Sequence, residues 1–422
     1  MSIFDGKRFF VYGNGLSGRA ACKAIKKHGG KARVYADING MFIPPPDKDY
    51  DGAVISPGIR PTHKVYEYCA EHGIKTYSEI EIGFALSDGR KIVGVTGTNG
   101  KTTVTKLIAD MVGGVACGNI GYPLCAAVLE KSEKPLVCEL SSFQLYRSVI
   151  SPTVAVITNV TSDHVDWHGG LKEYYAAKCN VANGMDGGYL VLGEDVSVGS
   201  LCALHTSAQI IRCSTSTVTD GAYVADGYFC FGGNRICPVD YLRLPGEHNV
   251  KNALCAIAAA KCMGADNSSV LNALSSSEPS PHRTEKAGYA CGKQWIDDSK
   301  GTNVAACLAA IAQTDGTVCL ILGGRGKDTD FSELFCALDK RVIEVVAMGE
   351  TAQAIRDAAC ALSPELKISV VSSLSDAVAK AAESEAKTVL LSPACASFDE
   401  FRSYAERGER FKAAVRALGR TK

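Results

Sequence analysis

The sequence predicts an α/β protein of three domains built on mostly parallel sheets. Short apolar runs alternate with helical patterns from one end to the other, as expected for strands joined by helical crossovers. Two glycine-rich loops each follow such a run and open a helical pattern. At 422 residues the chain is also too long for one hydrophobic core.

Strand candidates lie at 8–12, 53–56, 92–96, 136–139, 154–159, 318–322, 344–348 and 389–392. A first boundary is placed at Ser87-Asp88-Gly89-Arg90, just before the strand that feeds the second glycine loop. A second lies in the Ser/Pro-rich stretch 275–281. The domains are therefore 1–89, 90–280 and 281–422.

Lys plus Arg equals Asp plus Glu, 45 against 45. This balance gives no support to a nucleic-acid or membrane-surface role, both of which usually need a basic excess. The 18 cysteines include no CxxC pair and mostly sit singly in apolar segments, as Cys138, Cys255, Cys319 and Cys395 do. Buried reduced thiols are expected rather than disulfides or a zinc site. The N-terminus lacks the apolar run of a signal peptide, and no stretch is long enough to span a bilayer. A cytoplasmic location is expected.

The first loop, Gly13 to Gly18, with Asp37 about twenty residues on, meets the dinucleotide-binding fingerprint. Alone it suggests a dehydrogenase. A helix N-terminus behind a glycine turn can equally hold the diphosphate of a UDP-sugar, and a ligand-free strand–helix turn is the plainest alternative. The segment after Asp37 is short and returns at Ser56-Pro57-Gly58, unlike a normal cofactor domain.

The second loop, Gly97, Thr98, Asn99 and Gly100 followed by Lys101, Thr102 and Thr103, supplies the energy source. Its backbone N–H groups are expected to surround the phosphates of ATP, with Lys101 neutralising β/γ charge and the Thr102 hydroxyl reaching Mg²⁺. Val95 stands where a strict P-loop has its first glycine. Metal ligands are then expected on neighbouring strand ends. Glu139 closes one apolar run, and His164 follows another. Histidine is a poor ligand for a hard cation, so His164 could instead orient a carboxylate or water.

These residues, taken with several further motifs, resemble the Mur ligases. The resemblance rests on VTGTNGKTT (95–103), GNIG (118–121), ELSSFQL (139–145) and NVTSDH (159–164). It continues through LPGEHNVKNA (244–253), PHRTE (281–285), DDSKGTN (297–303), GGRGKDTDF (323–331) and SPACASFDEF (392–401). ELSSFQL and SPACASFDEF point to the branch that adds D-glutamate to UDP-N-acetylmuramoyl-L-alanine through an acyl phosphate, in the synthesis of peptidoglycan precursors.

The resemblance implies a Rossmann-like UDP-binding first domain, a P-loop ATPase-like centre and a Rossmann-like amino-acid-binding third domain. Gly15, Leu16, Ser17, Asp37, Ser56 and Gly58 would hold the UDP moiety, and Asn119 the muramoyl-alanine portion. Lys101, His164 and Lys178 would be catalytic, with Lys178 at the position that the family carbamylates. A carbamate presents anionic oxygens to Mg²⁺ where an ammonium would repel it. Thr102, Glu139, His164 and carbamylated Lys178 would form the metal set. Asn249, Asn252, Arg283, Asp298 and Lys300 would contact ATP. Thr302, Lys327, Ser397, Phe398 and Tyr404 would line the D-glutamate site. Tyr404 replaces the family's phenylalanine, and Asp297 stands where many members carry asparagine. ATP and Mg²⁺ are the implied cofactors, UDP-N-acetylmuramoyl-L-alanine and D-glutamate the small-molecule partners, and a monomer the implied state. Sister ligases for other amino acids, an NAD-dependent oxidoreductase and a catalytically dead nucleotide-binding regulator are the rival readings.

Overall fold

In the computed structural model, residues 3–47, 49–326 and 330–419 are described. The chain divides into two compact units, Met1–Ser277 and Glu278–Lys422. The first unit holds two sheets. Its N-terminal sheet has four parallel strands in the order Lys31–Tyr35, Arg8–Tyr12, Gly52–Ile55, Thr76–Tyr77. Strand alternation sends Phe9 and Val11 toward Ala21, Ala24 and Ile25 of the helix Leu16–Lys27. Phe10 and Tyr12 go to the opposite side, onto Val65 and Tyr68 of the helix Lys64–Glu71.

The second sheet has nine strands. From one edge inward, six run parallel: Val115–Gly118, Leu136–Glu139, Ile92–Thr96, Val154–Asn159, Tyr189–Asp195 and Gln209–Ser214. Ala222–Ala225 continues the parallel run, and Tyr228–Phe231 and Asn234–Pro238 close that edge as an antiparallel meander. Sequence reading missed this edge, whose strands are short and only partly apolar. Along the central strands, Val93, Val95, Val137, Val154, Val156 and Val191 face the helices Lys101–Val112 and Glu247–Cys262. Ile92, Leu136, Ala155, Ile157 and Leu190 face the other way. Coverage on both faces explains why these strands read as unbroken apolar runs. Each fully buried Val or Ile contributes roughly 1.5–3 kcal/mol.

The second unit has six strands in the order Glu285–Ala290, Lys293–Asp297, Thr388–Leu391, Val318–Gly323, Val342–Met348, Lys367–Val370. Only the first pair is antiparallel. Every strand candidate read from the sequence is present, with ends within two residues. All eighteen cysteines are free, as expected. Among the described residues, no helix is long and apolar enough to cross a membrane.

Candidate functional site

Parallel strands collect their carboxyl ends on one edge, and the second glycine loop, Glu139 and the start of NVTSDH lie there. Gly97 follows Ile92–Thr96, Glu139 ends Leu136–Glu139, and Asn159 ends Val154–Asn159. Gly100 caps the helix Lys101–Val112 at φ +80°, a left-handed conformation that favours glycine. A Cβ there would lie 2.1 Å from Asn252 Oδ1, so Asn252, itself buried, abuts the loop from the helix Glu247–Cys262. Asn249 Oδ1 accepts from Asn252 Nδ2 at 3.2 Å and so orients it.

The loop is braced by the next strand. Thr98 N–H donates to the Asn159 carbonyl at 3.0 Å, and Asn99 N–H to Asn159 Oδ1 at 2.9 Å. The Thr158 hydroxyl donates to the Asn99 carbonyl at 2.6 Å. Thr158 and Asn159 were not singled out in the sequence, although Asn159 opens the motif NVTSDH. Lys101 folds back so that its Nζ donates to the carbonyls of Gly97 and Thr98 at 3.0 and 2.9 Å. Thr102 and Thr103 lie in the first turn of the helix, with Thr102 buried.

Lys178, on the helix Leu171–Cys179, is 2% exposed and donates to the Gly97 carbonyl at 2.7 Å. Burial first, then the charge of Lys101, pushes its pKa well below the ordinary lysine value, with Asp163 opposing. Its Nζ stands 4.4 Å from the centre of the Tyr174 ring. Tyr174 in turn meets the Thr98 hydroxyl at 2.9 Å, so one helix reaches both the loop and its lysine.

Glu139 is buried. Its Oε1 accepts from Asn119 Nδ2 at 2.9 Å, while its Oε2 is buried with no partner among the described residues. Asn119, expected on the substrate, therefore orients this carboxylate. His164 sits at φ +51° with Nε2 3.6 Å from Asp163 Oδ2 and its ring edge-on to Phe143.

The first glycine loop has the same strand–turn–helix plan. A Cβ on Gly18 would lie 2.0 Å from the Gly13 carbonyl oxygen, so the helix Leu16–Lys27 can start this close only with glycine there. The Ser56 hydroxyl donates to the Gly13 carbonyl at 3.2 Å. Gly15 is the N-cap, Leu16 and Gly58 are exposed, and Ser17 is half-buried. Asp37 accepts from Tyr12 Oη at 2.5 Å and meets His63 Nε2 at 3.1 Å. The Tyr12 bond chiefly holds its pKa below the usual carboxylate range.

In the second unit, Asp298 follows the strand Lys293–Asp297, is 4% exposed and accepts from the Ser392 hydroxyl at 2.6 Å. Burial pushes its pKa up to about 7. Lys300 places Nζ 5.4 Å from the Tyr404 ring centre, and the Ser299 hydroxyl donates to the Tyr404 carbonyl at 2.8 Å. Arg407 is fully buried, with its guanidinium donating to the carbonyls of Ser299, Cys395 and Ala396. It thus ties the 297–303 motif to the loop that carries buried Ser397 and exposed Phe398. Arg407 was not singled out in the sequence. Thr302 is half-buried, and Lys327 lies outside the described residues. Arg283 carries a buried Nε with no partner among the described residues.

Residues 95–260 match the Mur ligase middle domain, and residues 282–395 match the Mur ligase, glutamate ligase domain. The UDP-N-acetylmuramoylalanine–D-glutamate ligase of Caldanaerobacter subterraneus subsp. tengcongensis is 34% identical, with 98% of this chain and 99% of the relative covered. The enzyme of that name from Thermoanaerobacter pseudethanolicus is 35% identical, with 98% and 99% covered. Among solved structures, the UDP-N-acetylmuramate-alanine ligase of Thermotoga maritima aligns with TM-score 0.62 at 19% identity, covering 97% of this chain and 99% of that one. A Mycobacterium tuberculosis folylpolyglutamate synthase complexed with ADP and AMPPCP aligns with TM-score 0.58 at 19% identity, covering 80% and 93%. These two show that the fold is shared, and the curated relatives carry the kinship through sequence. The chain belongs to the Mur ligase family.

Proposed function

We propose that the protein adds D-glutamate to UDP-N-acetylmuramoyl-L-alanine at the expense of ATP. The carrying observation for the chemistry is the braced loop 97–100, with Lys101 and buried Lys178 both held on its carbonyls. Support for the substrates comes from relatives of that name, about a third identical over nearly the whole chain. The regions 1–89, 90–280 and 281–422 are the proposed UDP-substrate, ATP and amino-acid domains.

A carboxylate resists attack by an amine because its oxygen leaves poorly and its charge repels the nucleophile. Phosphorylation by ATP makes an acyl phosphate, and the amine of D-glutamate then displaces phosphate through a tetrahedral intermediate. Phosphoryl transfer is catalysed mainly by positioning and charge stabilisation. The N–H groups at the N-terminus of the helix behind Gly100 would bind phosphate oxygens, and Lys101, once freed from the loop carbonyls, would take up β/γ charge. Arg283, Asp298, Lys300, Asn249 and Asn252 are proposed to hold the rest of the nucleotide.

A divalent cation fits this site. Glu139 Oε2 is a buried carboxylate oxygen without a donor, the situation a hard cation resolves, and Thr102 adds a hydroxyl. Glu139, Thr102 and a carbamate on Lys178 would hold Mg²⁺, with His164 as a further ligand or an orienting group. Bound there, Mg²⁺ would supply charge neutralisation for the transferring phosphoryl group. Burial pushes Lys178 toward the neutral amine, the form that reacts with CO₂. Gly15, Leu16, Ser17, Asp37, Ser56 and Gly58 are proposed for the UDP moiety. Asn119 would serve the muramoyl-alanine portion, and Thr302, Lys327, Ser397, Phe398 and Tyr404 the D-glutamate.

The test follows phosphate release with ATP, Mg²⁺ and UDP-N-acetylmuramoyl-L-alanine, adding D-glutamate, L-glutamate, L-lysine or meso-diaminopimelate separately. Release confined to D-glutamate, with a matching UDP-linked product, is expected. Release with another amino acid keeps the ligase chemistry and overturns the acceptor. No release with any of them, from protein that still binds ATP, overturns the substrate assignment.

A further inference from the structure

Arg283 lies between two non-glycine residues with left-handed backbone, His282 at φ +61° and Thr284 at φ +44°. Such conformations persist only where the surroundings enforce them. Here the enforcement is visible at each peptide. His282 N–H donates to Glu285 Oε2 at 2.8 Å, and the His282 carbonyl accepts from Lys300 N–H at 3.1 Å. Thr284 N–H donates to Asp298 Oδ1 at 3.2 Å. The His282 ring is buried and meets Asp297 Oδ2 through Nδ1 at 2.7 Å. Asp297 is fully buried, and its Oδ1 accepts from Ser299 N–H at 2.9 Å.

This imidazole–carboxylate pair is seated against Gly408 of the helix Tyr404–Leu418. A Cβ on Gly408 would lie 2.2 Å from His282 Nδ1 and 2.7 Å from Asp297 Oδ2. The same helix supplies Lys412, whose Nζ pairs with Glu285 at 3.0 Å and Glu409 at 2.8 Å. The three-residue kink is thus locked from two strands and one helix. Lys412 among these groups disfavours reading His282, Glu285 and Asp297 as a cation site.

We propose that His282, oriented by Asp297, is a positioning residue that fixes the backbone kink and thereby aims Arg283 at the nucleotide. The inference rests on the reading of Arg283 as an ATP contact. His282 itself touches no substrate. It acts by holding one rotation of the chain on either side of Arg283, and a misplacement of about 1 Å in a charged contact costs on the order of a hundredfold in rate.

The experiment is a double-mutant cycle on the full chain, measuring KM for ATP and kcat, with thermal melting to establish folding. Arg283→Ala and His282→Ala should each lower kcat/KM for ATP by tenfold or more. The double variant should be no worse than Arg283→Ala, because His282 acts only through that side chain. Asp297→Asn keeps an oxygen acceptor for Nδ1–H and should retain most of the ATP kcat/KM that Asp297→Ala loses. Additive losses, or equal losses in the Asn and Ala variants, would overturn the positioning role while leaving Arg283 in its nucleotide role. An Arg283→Ala protein with unchanged use of ATP would overturn the reading of Arg283, and the inference with it. A His282→Ala protein that melts as the parent does but uses ATP normally would overturn the inference alone.

Discussion

The first unit builds two glycine loops on one plan and equips them differently. Both follow an interior strand paired in parallel on both sides, both open a helix of twelve residues, and both need glycine where a Cβ would clash. Around Gly13–Gly18 the flanking acid, Asp37, is satisfied by Tyr12 and His63, and its low pKa keeps it a plain anion. Around Gly97–Gly100 the flanking groups are charged, buried and under tension. Lys178 is pushed toward the neutral amine, and one oxygen of Glu139 is left without a donor among the described residues. A glycine turn with a helix behind it is enough to dock a phosphate. Chemistry on that phosphate needs buried charges that only a ligand can satisfy.

Breaking the second loop should therefore cost far more than breaking the first. Lys101→Ala should lower kcat for phosphate release by about a thousandfold or more, on the scale set by other phosphoryl-transfer cations. Asp37→Ala should leave kcat near the parent value and lower kcat/KM for the UDP substrate about tenfold, as loss of one uniform binding contact does. Equal effects in initial-rate measurements would erase the contrast between the loops.

Lys178 offers a sharper probe. A neutral amine takes up CO₂, so stripping bicarbonate should depress parental activity roughly tenfold and adding it back should restore the rate. Lys178→Arg, which stays charged, should be poorly active and indifferent to bicarbonate. A bicarbonate-sensitive arginine variant would remove the carbamate from the account.

The glycines separate stability from function. Gly18→Ala drives a methyl into a backbone carbonyl, which cannot swing away, and should cost roughly 1–3 kcal/mol in a melting experiment. Gly100→Ala meets the end of the Asn252 side chain, which can move, and adds the strain of alanine at φ +80°. Its larger effect should be on KM for ATP, and a Tm loss exceeding that of Gly18→Ala would contradict the packing described.

An effect that shows only as pH is varied lies between the two sheets of the first unit. Glu79 begins the helix Glu79–Ala85, is 1% exposed and accepts from Cys125 N–H at 2.6 Å. Burial pushes its pKa from 4.5 up to about 7. The folded protein holds this proton more tightly than the unfolded chain does. Its contribution is therefore fully present below about pH 4.5 and declines as pH rises through about 7. Glu79→Gln removes that decline and should gain up to about 3 kcal/mol on the parent between pH 5 and pH 8. Parallel stability–pH curves for the two proteins would refute the burial argument.

By itself the sequence determined the α/β class, several of the central strands and the phosphate loop. Each of those is written in local code: runs such as Ile92–Thr96 are apolar because helices cover both faces, and Gly-Lys-Thr is local because one turn of backbone wraps the phosphates. Asp37, Glu139 and His164 were legible for a related reason, since parallel strands leave their carboxyl ends together on one edge. The roles of Lys178, Tyr404 and the third-domain residues came through resemblance, because a lysine in a helical segment carries no local mark of its burial. Tertiary structure alone decided the rest. Thr158 and Asn159 brace the loop, Asn119 orients Glu139, Arg407 joins two loops of the second unit, and Gly408 makes room for the His282–Asp297 pair. Those contacts join residues 11 to 126 positions apart, and only the packed chain sets the burial and charge that give them their chemistry.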